Sequence, residues 1–221
     1  MVKNRIRLRH VYKTYQNDRH VLRDLNFEAV EDQIYFIQGQ SGSGKTTLFK
    51  LLTAMLRPTS GEIFFNQWQV SNLNTGQISE YRKNIGIVFQ DYKLIQNLTV
   101  LENICLPLRI QNKTNSEINK SVDEALEKLN LKSFLNEYPE HISGGQQQKT
   151  ALARALVSRP KLIIADEPTG NLDQQSSREV INVLEDYAKT GSMVLVATHD
   201  LSLINLQKHQ VLHLNQGQIN L

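Results

Sequence analysis

The chain has 221 residues, 40% of them hydrophobic, enough for one substantial core with room for an inserted subdomain. Its 25 Lys and Arg against 22 Asp and Glu leave a net charge of +3, and the basic residues are scattered, so nothing points to a nucleic-acid partner. One cysteine, Cys105, excludes an internal disulfide; with no signal-like start after Met1 and no apolar run of membrane-span length, the expectation is a soluble, intracellular protein that reaches a membrane only through a partner.

Residues 5–12 alternate polar and apolar, as a half-exposed strand does. Val21, Leu22, Leu25 and Phe27 begin a second strand, and Tyr15 is expected in the turn between the two. Residues 34–37 (Ile-Tyr-Phe-Ile) form a short apolar run expected to be a buried strand. It leads into Gly39, Gln40, Ser41, Gly42, Ser43, Gly44, Lys45, Thr46 and Thr47, which fit G-x-x-x-x-G-K-[ST]. Glycines let successive N–H groups turn inward on phosphates. Lys45 adds a mobile cation, and the Thr46 hydroxyl is a hard oxygen ligand suited to Mg²⁺. A helix over 46–56 would aim its N-terminus at the same anion. Strand, loop and helix agree, so the chain is expected to bind a nucleoside triphosphate. Upstream of such a loop, Tyr15 is either a packing residue or a flat face for adenine.

Pro58 and Gly61 mark a turn, residues 62–66 a returning strand, and 78–82 a short helix after a polar connection at 71–76. Residues 85–89 form another buried strand ending in Gln90, either a capping residue or a contact to metal or attacking water. Over 91–142 no convincing strand occurs. Thr99 with Glu102 makes a capping box, Pro107 is expected to interrupt that helix, 118–129 has helical spacing, and 131–135 is a short helix. Ser143-Gly144-Gly145-Gln146 then opens a helix expected to run to about Arg159, stopped by Pro160. Serine and glycines at a helix start suit an anion; a plain N-cap would leave the second glycine unexplained.

Residues 161–167 form a buried strand delivering Asp166 and Glu167. If both are extended they face opposite ways, so that one serves a metal and the other water. Asn171-Leu172-Asp173 makes a tight turn into a helix over 176–188. Residues 193–197 form the last buried strand, with Thr198-His199-Asp200 at its tip. There His199 is either a packing residue or a donor to a γ-phosphate. Residues 211–214 and 218–221 read as a closing hairpin around Gln216-Gly217. The elements read as an α/β core with a helical subdomain inserted over about 91–159.

The phosphate loop, Gln90, Ser143–Gln146, the strand ending Asp166-Glu167-Pro168, Asp173 and His199, in that order, resemble an ABC transporter nucleotide-binding subunit along essentially the whole chain. The resemblance implies ATP and Mg²⁺ as ligands, and a fold with a P-loop (RecA-like) core over about 1–90 and 160–221 and an N-terminal antiparallel β subdomain. Tyr15 would stack on adenine, and residues 39–47 would be the Walker A loop. Gln90 would be the Q-loop residue linking the nucleotide to the membrane partner and, with Thr46 and Asp166, a ligand of Mg²⁺; Asp166 would be the Walker B carboxylate, Glu167 the general base and His199 the switch histidine. Asp173 would belong to the D-loop, and Ser143–Gln146 would be the signature that completes the site of an opposite subunit. A homodimer around two ATP molecules follows. Ile142 stands where leucine is usual and Lys149 where arginine is common; neither removes a catalytic group.

Residues 89–94, 166–173 and 197–200 resemble the group holding FtsE, LolD and MacB. Gln90-Asp91 and residues 212–217 lean toward the cell-division FtsE members, whose integral membrane partner is FtsX. That implies a peripheral subunit on the cytoplasmic face of a bacterial membrane. A LolD- or MacB-type transport ATPase is the alternative. A soluble repair or translation ATPase is disfavoured, since those carry a long coiled coil or two cassettes per chain.

Overall fold

The computed structural model describes residues 4–15, 19–170, 172–199, 204–205 and 209–220. The expectations for residues 1–3, Asn171, Asp200 and Leu221 lie outside these.

Alternation of apolar side chains builds two sheets. β1 (Arg5–Tyr15), β2 (Arg19–Val30), β4 (Ser60–Phe65) and β5 (Trp68–Gln69) form an antiparallel sheet in the order β2-β1-β4-β5. Ile6, Leu8 and Val11 face its core; the register shift between Leu8 and Val11, with His10 at φ 47°, keeps Val11 inward. β3 (Gln33–Gln38), β6 (Ile85–Val88), β7 (Leu162–Asp166), β8 (Met193–Ala197), β9 (Gln210–Asn215) and β10 (Gln218–Asn220) form the second sheet, in the order β10-β9-β3-β8-β7-β6. All its pairings are parallel except the β9–β10 hairpin.

This second sheet is apolar on both faces, as a parallel sheet covered on both sides must be. Met193, Leu195 and Ala197 of β8 enter one core with Tyr35 and Ile37, while Val194 and Val196 enter the other with Ile34 and Phe36. On the first face lie the antiparallel sheet and α1 (Lys45–Leu52). On the second lie α3 (Val100–Ile110), α4 (Asn115–Leu129), α5 (Gly144–Leu156) and α6 (Gln174–Ala188). The short α2 (Thr75–Arg82) places Tyr81 under the first face. Chain order and layers are those of an α/β P-loop core with an antiparallel β sheet at its N-terminal side.

Several local expectations are corrected. Tyr15 is the last residue of β1, paired with Arg19, and not in the turn. The first helix stops at Leu52, where Met55 and Leu56 fold their amides back on the Lys50 carbonyl. α2 and α4 start earlier than expected because Asn74 with Gln77, and Thr114 with Glu117, close capping boxes inside stretches that look like polar turns. The Thr99–Glu102 box is present as expected, but Pro107 does not interrupt α3. Proline forfeits one helical hydrogen bond there. The helix continues because Ile104, Cys105 and Leu108 bury the same face, and the Pro107 carbonyl still accepts from Gln111. α5 ends at Leu156 because Arg159, at φ 48° before Pro160, turns left-handed.

A phosphate-loop cleft at the ends of four adjacent strands

β3, β8, β7 and β6 are neighbours in the sheet, and their carboxyl ends deliver the phosphate loop, His199, the Asp166–Glu167 pair and Gln90 along one edge. Ligands in open α/β sheets bind at such edges. After β3 the chain turns through Gly42 at φ 80° and Gly44 at φ 113°. Gly44 is the N-cap of α1 and carries no capping side chain, so the helix N–H groups stay available to an anion. Lys45 Nζ folds across the loop to the carbonyls of Gly39 at 2.5 Å and Gln40 at 3.2 Å.

Thr46 Oγ1 donates to Asp166 Oδ2 at 3.3 Å. Burial pushes the Asp166 carboxyl above the usual aspartate range; the Thr46 hydroxyl opposes that shift and the neighbouring Glu167 carboxylate adds to it. The premise that Asp166 and Glu167 are both extended fails. β7 ends at Asp166, and Glu167 is left-handed at φ 49°, so both side chains line the same cleft. They nevertheless take different partners, because Glu167 Oε2 meets His199 Nδ1 at 2.9 Å. Tyr15, 39% exposed, sets its hydroxyl 3.4 Å from Thr47 Oγ1 and its ring under Lys13 Nζ at 5.4 Å.

The cleft encloses about 950 Å³. Tyr15, Gly39, Ser41, Gly42, Gly44, Lys45, Thr46, Thr47, Gln90, Asp166, Glu167 and His199 line it together. Gln40 contributes its carbonyl through Lys45, and Ser43 turns its hydroxyl into the loop. Ser143, Gly144, Gly145, Gln146 and Asp173 are not part of the lining. Ser143 and Gln146 close a capping box, and a Cβ on Gly145 would stand 3.2 Å from Leu172 Cδ2, a contact tight enough to give the second glycine a reason. Asp173 caps α6 by accepting from the Ser176 amide at 2.8 Å, which holds its carboxyl below the usual range.

Residues 22–170 match the sequence pattern of the ABC transporter family. The chain belongs to that family. The ABC chain is 40% identical over 215 residues to the cell division ATP-binding protein FtsE of Mycobacterium tuberculosis, covering 97% of this chain and 94% of that one. It is 36% identical to the Escherichia coli K12 protein of the same name, covering 97% of each, and 36% identical to that of Bacillus subtilis, covering 97% and 94%. Among solved structures it is similar to a dimeric ATP-binding cassette in a post-hydrolysis state bound to ADP and Pi, with TM-score 0.90 and 32% identity over 98% of this chain and 97% of that one. A Clostridium perfringens component of an ABC transporter complex superposes with TM-score 0.87 and 29% identity, covering 98% and 86%.

Sequence reasoning missed two contributors to this ABC site. Val21 of β2 lines the cleft, yet nothing separates it from other apolar strand residues. Lys13 stacks on Tyr15 two positions away, a proximity that alternation along one strand face does offer as a signal. Lys149, the departure from the family's arginine, lies outside the cleft lining and ties α5 to α6 through Glu179 at 2.9 Å.

Proposed function

We propose that this chain is the ATP-binding and ATP-hydrolysing subunit of an FtsE-type cell-division complex, a homodimer acting on an FtsX-like integral membrane protein from the cytoplasmic face. The observation that carries the reading is the convergence of Lys45, Asp166, Glu167, His199 and Gln90 on one cleft while the Ser143–Gln146 motif stays outside it. A chain whose signature does not reach its own phosphate loop needs a second copy to complete each site. The dimeric cassettes it resembles and its FtsE relatives support the same reading. No helix among the described residues is long and apolar enough to cross a membrane.

The residues present fit both ligands. Gly42, Gly44 and the uncapped start of α1 form an anion cradle, and Lys45 Nζ sits at its mouth on carbonyls that a phosphate can replace. Thr46 and Asp166, already in contact, and Gln90 across the cleft are hard oxygen donors of the number Mg²⁺ takes beside phosphate oxygens and water. When bound, Mg²⁺ neutralises charge on the β- and γ-phosphates. Lys45 and the loop amides cradle those phosphates, and Tyr15 offers its ring to adenine. Glu167 accepts the proton of the attacking water, and His199 holds Glu167 in place while presenting its exposed ring to the γ-phosphate.

Residues 91–159 act as a helical subdomain on the core formed by 1–90 and 160–221. A groove of about 280 Å³ opens at the β6 edge between α3 and α5, with Phe89, Ile95, Leu106 and Pro107 as its apolar wall. That wall, continuous with Gln90, is where the membrane partner docks. The test is to trap Glu167→Gln with ATP in native membranes and identify what is recovered with it. An FtsX-like protein with wall-hydrolysis factors is the expected result. A lipoprotein-release or efflux permease would replace cell division by transport, and recovery of no membrane protein would overturn the reading.

A further inference from the structure

We propose that Arg154 is a positioning residue that locks the turn after Gln90, so that the partner groove and Gln90 respond as one unit. This rests on reading the chain as a partner-driven ATPase. Beyond Gln90 the chain reverses tightly: the Tyr92 amide donates to the Phe89 carbonyl at 3.1 Å and the Lys93 amide to the Asp91 carbonyl at 2.6 Å. Tyr92 at φ 60° and Lys93 at φ 50° are two successive left-handed residues, neither of them glycine. L-residues carrying a Cβ disfavour that conformation, and it persists only where surrounding contacts impose it.

Arg154 supplies such a contact. From the last turn of α5 its Nη2 donates to the Tyr92 carbonyl and its Nη1 to the Lys93 carbonyl, both at 2.7 Å. One rigid guanidinium fork thus grips the two strained residues. An ammonium group is a single point of attachment on a flexible stem and cannot hold both carbonyls in fixed relation. The same helix meets the turn again at its start, where a Cβ on Gly144 would lie 3.5 Å from the Tyr92 hydroxyl. Arg154 and Lys93 also line the groove beside Phe89 and Pro107, so a segment seated there touches both ends of the clamp. Arg154 does not line the nucleotide cleft; it meets the cleft's machinery at the turn that follows Gln90.

The test compares the wild type with Arg154→Lys, Arg154→Gln and the pair Arg154→Gln with Lys93→Gly. Each full chain is purified alone and with the membrane protein recovered from native membranes. Melting temperature, KM for ATP and kcat are measured in both states. The expected result is a KM within twofold of wild type and a loss of at least tenfold in partner stimulation of kcat for both single variants. Lys93→Gly, which adopts the left-handed conformation without a side-chain penalty, restores part of that loss. Stimulation preserved in Arg154→Lys overturns the proposal, as does a loss that follows melting temperature and is untouched by Lys93→Gly. A wild-type complex without ATPase activity or stimulation overturns the underlying reading first, an outcome visible before any variant is compared.

Discussion

His199 Nδ1 lies 2.9 Å from Glu167 Oε2, joining the tips of the neighbouring strands β8 and β7 across the mouth of the cleft. Glu167 keeps only 13% of its side chain exposed, whereas His199 keeps 77%. The carboxylate is therefore held from within and the imidazole is open to a ligand. If Glu167 is the base, Glu167→Gln lowers kcat by about 10²- to 10⁴-fold while ATP binding persists. Equilibrium nucleotide binding and size exclusion with ATP check this; the variant is expected to run as a dimer with ATP and as a monomer without it.

The same contact predicts non-additivity. His199→Ala removes both a γ-phosphate donor and the group that orients Glu167, so each single variant already disables the pair. The double variant Glu167→Gln with His199→Ala should lose much less than the product of the two single losses. Single-turnover hydrolysis by the four proteins gives the coupling directly.

Tyr15 predicts a change in affinity without one in turnover. Stacking on a base is worth about 1–3 kcal/mol, so Tyr15→Ala raises KM for ATP by about 5- to 150-fold and leaves kcat near wild type. Tyr15→Phe keeps the ring, loses only the 3.4 Å contact to Thr47, and stays close to wild type. Steady-state kinetics with ATP separate the two.

Asp166 predicts a stability trade. Burial raises its folded-state pKa above the ordinary aspartate value of 3.8, so the folded state holds that proton more tightly than the unfolded chain. The associated stability is complete below the ordinary value and is lost as pH rises through the raised one. At neutral pH, without nucleotide or metal, the ionised group works against folding. Asp166→Asn therefore melts higher than wild type at pH 7 under chelation, and the difference closes as the pH approaches 4. Calorimetry across that range checks the sign, and added Mg²⁺ with ATP favours the wild type instead.

Much of this architecture is legible in the sequence because its strands are short runs buried on both faces. Residues 193–197 are found as expected, and the phosphate loop, Gln90 and His199 fall where strand ends deliver them. What is not legible depends on side chains overruling local composition. The Thr114–Glu117 box hides a helix start in a polar run, and the apolar face of α3 carries the helix past Pro107. Glu167 is harder still. Nothing in Asp166-Glu167-Pro168 announces that the strand ends between the two carboxylates, yet that single left-handed residue brings both into one cleft. The Arg154 clamp joins residues 61 and 62 positions apart, a relation no local pattern encodes.

The strand order has a mechanical side. β3, β8 and β7 are each flanked on both sides, so the phosphate loop, His199 and the two carboxylates stand on a plate that cannot shear without breaking hydrogen bonds to two neighbours. β6 is the outermost strand, paired with β7 alone, and Gln90 rides at its tip. The chemistry is thus bolted to the middle of the sheet, and the group beside the partner groove is mounted on its free margin. A push arriving at that margin can displace Gln90 relative to a reaction centre that stays still.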